Sequence, residues 1–94
     1  MKATKAEEVR VFADIPNIGL KMAEDFRKLG IQNPQELTKK DAFELYNQIG
    51  KIEGVRVDPC VLDTYIAAID FMSGAEAKPW WSYTKKRKEK YPSV

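Results

Sequence analysis

Ile15-Pro16-Asn17-Ile18-Gly19, with Lys21 two residues further on, is the stretch whose residue types and spacing suggest chemistry. Pro16 stiffens the approach to a turn, and Asn17 and Gly19 both tolerate left-handed backbone. Such a corner at the start of a helix turns several backbone N–H groups outward, where an anion can sit. The same residues also suit a corner that only packs two helices. In that reading Gly19 and Ala23 are small because the helices approach closely, and Asn17 is an ordinary turn residue.

Other candidate chemistry is sparse. Cys60 follows Pro59 in a first helical turn, where free N–H groups and the helix dipole can lower a thiol pKa. The chain has one cysteine and no histidine, so that thiol has no imidazole partner and a small buried apolar cysteine is the stronger expectation. The carboxylate pairs Glu7-Glu8 and Glu24-Asp25 are adjacent rather than one helical turn apart, so they diverge and read as solvated. No catalytic residue and no cofactor are expected. The last stretch, AKPWWSYTKKRKEKYPSV, sets Trp80, Trp81 and Tyr83 ahead of Lys85, Lys86, Arg87, Lys88 and Lys90. That interleaving could stack on exposed bases and neutralise phosphates. It equally suits anchoring, with one tryptophan folded onto the core and a basic end that serves solubility. In an extended segment adjacent residues face opposite sides, so one of Trp80 and Trp81 can fill a groove while the other stays exposed.

Elements must position these groups, and the apolar periodicity is helical throughout. Ala6, Val9, Phe12 and Ala13 form a first stripe; Met22, Ala23, Phe26 and Leu29 form a second, stopped by Gly30. Asn33-Pro34 starts a very short helix to about Leu37. Asp41 caps the next, with Ala42, Leu45, Tyr46, Ile49 and Ile52 on one face, an interior Gly50 that costs about 1 kcal/mol relative to alanine, and Gly54 at its end. Asp58-Pro59 opens the last, whose stripe is Leu62, Tyr65, Ile66, Ile69 and Met72, closed by Ser73-Gly74. GVRV at 54–57 is too short to pair as a strand. The expectation is an all-α fold of five helices with brief connections.

Composition fits one such domain. The 94 residues are 44% hydrophobic and 32% charged, ordinary for a globular chain. No apolar run spans a membrane and MKATKAEEVR has no signal-like segment, so a cytoplasmic location and no membrane partner are expected. The net charge of +2 is unevenly spread: residues 1–77 carry ten basic and thirteen acidic side chains, residues 78–94 six and one. A basic end on a mildly acidic body suggests a polyanionic partner.

The pattern Ile15, Pro16, Asn17, Ile18, Gly19, Ala23, ending in Leu29-Gly30-Ile31, resembles a helix-hairpin-helix motif. Together with DPCVLD, PWW and the basic end, it makes roughly residues 9–88 similar to the small bacterial helix-hairpin-helix proteins of the pathogenicity-locus, or mitomycin-resistance-like, family. The resemblance implies a DNA-binding architecture without base specificity. It implies a phosphate held at Asn17, Gly19 and Lys21, with Asn17 standing where the motif usually has its first glycine. It also implies a monovalent cation on the carbonyls of Ala13, Ile15 and Ile18. KIEGVRVDPCVLD reads as a second, degenerate corner at which Arg56 and Lys51 could meet another phosphate, although Asp58 already occupies that helix N-terminus as a cap.

The expectation is therefore a compact five-helix helix-hairpin-helix domain over residues 1–74, with an extended aromatic and basic tail over 75–94. Its expected partner is the DNA backbone, met by Asn17, Gly19, Lys21, Arg56, Trp80, Trp81, Lys85, Lys86, Arg87 and Lys88. A helix-hairpin-helix adaptor with a protein partner is the alternative. The two are separated by whether the N–H groups at Gly19 and Lys21 are open beside positive charge or covered by apolar contacts.

Overall fold

The computed structural model describes residues 2–94, and among them every regular element is helical. Four α-helices, α1 (Leu20–Lys28), α2 (Ala42–Glu53), α3 (Pro59–Met72) and α4 (Thr84–Lys90), are accompanied by 3-10 turns at Ala6–Glu8, Phe12–Asp14, Pro34–Lys39 and Trp80–Tyr83. The first expected helix is two separate 3-10 turns. Each is closed by a carboxylate three residues on: Glu8 accepts from the Lys5 N–H at 3.1 Å, and Asp14 from the Val11 N–H at 3.2 Å. At Asn33-Pro34 the carboxylate of Glu36, rather than the Asn33 side chain, accepts the Gln32 and Asn33 N–H groups, both at 3.0 Å. Asp41 and Asp58 cap as their types demand, accepting from the N–H of Glu44 at 3.0 Å and of Cys60 at 2.8 Å.

Helix α3 is the central element. Of its expected stripe Leu62, Tyr65 and Met72 are buried and Ile66 and Ile69 only partly so, whereas Asp63, Thr64, Ala67 and Ala68 are buried as well. Burial on several faces follows from packing against α2, the Pro34–Lys39 turn, the Trp80–Tyr83 turn and α4. Phe26 of α1 joins Phe12 to Tyr65, at centroid separations of 5.3 and 5.2 Å, so the chain before the corner and the central helix share one aromatic cluster.

The tail is not extended. Residues 80–90 are helical and lie on α3. Tyr83 and Arg87 are buried, and Tyr91 stacks on Phe43 of α2 with centroids 4.3 Å apart and planes 6° from parallel. These three residues recur every fourth position and so share one helical face. Arg87 Nε lies 2.8 Å from Asp63 Oδ1, and Thr84 donates to Asp63 Oδ2 at 2.7 Å. The inward face of the tail is fixed by a carboxylate in the core, a contact that hydrophobic periodicity does not register.

Candidate nucleic-acid interface

The corner between the Phe12–Asp14 turn and α1 is held from inside. Ile15 and Ile18 are fully buried, and Ile18 N–H donates to the Ile15 carbonyl at 3.1 Å, closing the turn. Asn17 takes the left-handed backbone, with φ 74°. Gly19 does not: at φ −93° and ψ −174° its backbone is open to any residue, so tolerance of positive φ is not the reason for this glycine. Close helix packing is not the reason either, because a Cβ at Gly19 would meet nothing within 4 Å, whereas Ala23 is buried and does fill the helix contact. The space in front of Gly19 is open.

The first donors of α1 face that space. Gly19 caps without a side chain, and the first backbone bond inside the helix is Ala23 N–H to the Gly19 carbonyl at 3.0 Å. Among the described residues the N–H groups of Gly19, Leu20, Lys21 and Met22 have no acceptor, as the geometry of a helix start requires. Lys21, with an 80% exposed side chain, places Nζ 3.9 Å from both Asp25 Oδ1 and Glu53 Oε1. Both ion pairs are long, beyond hydrogen-bond distance, and the ammonium itself stays in solvent, so it remains accessible to another anion.

Of the acidic neighbours Asp14 is engaged elsewhere, while Asp25 and Glu53 face Lys21. Asp14 is committed to the N–H groups of Arg10 and Val11, at 3.1 and 3.2 Å, which hold its carboxyl below the usual range. Asp25 is buried, and burial pushes its pKa up. Glu24 remains on the surface.

Two site expectations at the corner change. The Asn17 side chain is turned to the tail: one N–H of its Nδ2 donates to the Lys78 carbonyl at 2.8 Å. The carbonyls of Ala13, Ile15 and Ile18 do converge, but on the ammonium of Lys2, which lies 2.7 Å from the Ala13 oxygen and 3.1 Å from that of Ile15 and also donates to Ile18. The position expected for a monovalent cation is filled by a side chain of the chain itself.

The Asn17–Lys78 bond joins the two stretches singled out in the sequence. Trp81 lies three residues beyond Lys78, within about 10 Å of chain, and is 64% exposed while Trp80 is half-buried and meets it edge-on at 5.7 Å. Lys85, Lys86 and Lys88 are exposed along α4, but Arg87 is spent on Asp63 and leaves the exposed basic set. Lys40, which sequence reasoning passed over, joins Lys86 and Lys90 around a cleft of about 300 Å³ that Asp41 and Asp70 also line; only the folding of the tail brings these lysines together.

The second corner is structural. Gly54 ends α2 in the left-handed region at φ 69°, the Tyr46 hydroxyl donates to the Val57 carbonyl, and Asp58 occupies the start of α3. Arg56 and Lys51 are exposed there without an open helix start between them. Cys60 is half-buried, and its thiol is pushed up by the Asp58 carboxylate beside it and by burial, the reverse of an activated nucleophile. No helix among the described residues is long and apolar enough to cross a membrane.

Comparison with known proteins places the chain in a family. Residues 5–89 match the family described as Pathogenicity locus. Over 72 residues, 77% of this chain and 69% of the relative, the sequence is 42% identical to the mitomycin resistance protein McrB of Streptomyces lavendulae. No solved structure matches. With nearly its whole length matched and a relative at this identity, the chain belongs to the Pathogenicity locus family.

Proposed function

We propose that this protein binds the DNA backbone without reading bases, using the corner at Asn17–Met22 as a helix-hairpin-helix element and the folded tail as its basic flank, and that it acts as a binding module rather than as a catalyst. The observation that carries this reading is the open set of N–H donors at Gly19–Met22, tethered to the exposed Trp81 turn through Asn17 and Lys78. Gly19 leaves room for a phosphate, the dipole of α1 favours its charge, and Lys21 adds a cation in the first turn. The exposed lysines of α4 extend the positive surface, and Trp81 offers a face on which an unpaired base can stack.

A second reading, a protein-interaction adaptor, is favoured by the apolar side chains near the same surface, above all Leu20, which is 82% exposed within the donor set. A fluorescence titration of the Trp80–Trp81 pair with duplex, single-stranded and branched DNA at several salt concentrations distinguishes them. For contacts to about two to four phosphates, log K falls against log salt with a slope near −2 to −4, and Lys21→Ala flattens it by about one while leaving stability within about 0.5 kcal/mol. Binding that is absent at low salt, or indifferent to salt, would leave the adaptor reading.

A further inference from the structure

Three backbone carbonyls of one corner point at a single atom. The Lys2 ammonium has three N–H donors, and all three are used, on Ala13, Ile15 and Ile18. The approach to it is fixed as well, because the Ala3 N–H donates to the Asp14 carbonyl at 2.8 Å. The three oxygens carry like partial charges, and they cannot spread apart cheaply, because the Ile15 and Ile18 side chains are sealed in the core. Neutral carbonyls gathered in this way replace the hydration shell of a large monovalent cation. A divalent ion asks for carboxylates, whereas the groups that converge here are three neutral carbonyls.

We infer that Lys2 is a tethered cation: it makes the corner independent of any free ion, and its removal turns the three carbonyls into a site for a monovalent cation of potassium size. Lys2 lies outside the corner motif, so the motif's resemblance to other proteins does not supply this role. The ammonium also reaches the outer face. The Ile18 carbonyl and the Gly19 N–H are two ends of one peptide unit, so charge on the oxygen strengthens the donor in front of Gly19. The inference stands apart from the nucleic-acid reading, because its test reads melting and amine exchange rather than DNA binding.

The test compares thermal melting of the full chain and its Lys2→Met variant in choline, sodium and potassium chloride at one ionic strength. The unaltered protein is expected to melt within about 1 °C in all three salts, whereas Lys2→Met melts several degrees lower in choline and regains at least half of that loss in potassium, by mass action on the folded state. A Lys2→Met variant that melts like its parent in choline overturns the inference. So does a loss that no cation restores, or a parent that gains as much from potassium as the variant does. Should Lys2→Met not fold, nitrogen-15 NMR of the unaltered protein gives a second reading: the Lys2 ammonium should exchange slowly with water and keep its shift when potassium replaces choline. Fast exchange would overturn the inference.

Discussion

Asp25 is a buried carboxylate at the edge of the corner, and one of its oxygens, Oδ1, has no hydrogen-bond partner among the described residues. Lys21 stands 3.9 Å away, near enough to attract but too far to donate. Burial is the main reason its pKa is raised; Lys21 opposes that shift and Glu53 adds to it. The folded state therefore holds the Asp25 proton more tightly than the unfolded chain does. Below the unfolded carboxylate pKa the group favours folding, and that contribution is lost as pH rises through its folded value. Asp25→Asn, which keeps the shape without the charge, should melt above the parent at pH 7, and the gap should close as the pH falls into the ordinary carboxylate range. Melting curves between pH 3 and 8 decide it; a gap that stays constant or widens toward acid would show that charge burial at Asp25 is not the cause. Neighbouring charge was visible in the sequence at Glu24-Asp25, but which of the two turns inward depends on the packing of α1 against α2.

At the scale of elements, α2 offers a paired test with its two glycines. Gly50 is helical, and an added Cβ would meet the Val55 carbonyl at 3.6 Å and Val57 Cγ2 at 3.7 Å, ordinary contacts. Gly50→Ala should stabilise by about 0.5–1 kcal/mol, raising the melting temperature by several degrees. Gly54 has φ 69°, so Gly54→Ala should destabilise by about 1 kcal/mol in the same measurement. The order reversed would contradict a helical backbone at Gly50 and a left-handed one at Gly54. Most elements were legible: the caps at Asp41 and Asp58 and the stops at Gly30, Gly54 and Gly74 bound helices where their types require. Two features were not. The first stripe breaks into 3-10 turns because Glu8 and Asp14 reach back to backbone donors, local bonds that a hydrophobic stripe does not reveal. The tail is expected from its sequence to be extended: KKRKEK carries no apolar residue to signal a helix, and its inward position is taken by an arginine whose partner lies on another helix. Likewise, the corner's residues were legible as a candidate anion site, while the Lys2 ammonium behind it depends on a contact between distant residues.

Across the whole molecule, the tail is both structure and charge, and variants can separate the two. Arg87→Ser leaves Asp63 buried without its cation, a loss of about 3–5 kcal/mol by comparison with other broken buried pairs. Ending the chain after Gly74 should cost more, since Tyr83 and the Phe43–Tyr91 stack go with it. Changing the exposed Lys85, Lys86 and Lys88 to serine should leave melting within about 0.5 kcal/mol and lower DNA affinity and its salt slope. Calorimetry and the DNA titration together give the answer. A Gly74 truncation that melts like the intact chain would mean the tail does not support the core, and a triple-serine variant that binds normally would remove α4 from the interface.

The Asp63–Arg87 pair also bears on how the protein is made. The two residues are 24 positions apart, so on the ribosome the carboxylate of α3 emerges well before the guanidinium that neutralises it. Until Arg87 is out, α3 cannot bury Asp63 without leaving a charge in the core, and the earlier helices gain little by closing around it. Closure of the core around α3 is thereby coupled to the segment that carries Arg87. A chain cut before residue 87 should therefore be digested faster than the intact one, and limited proteolysis of the two side by side would check it.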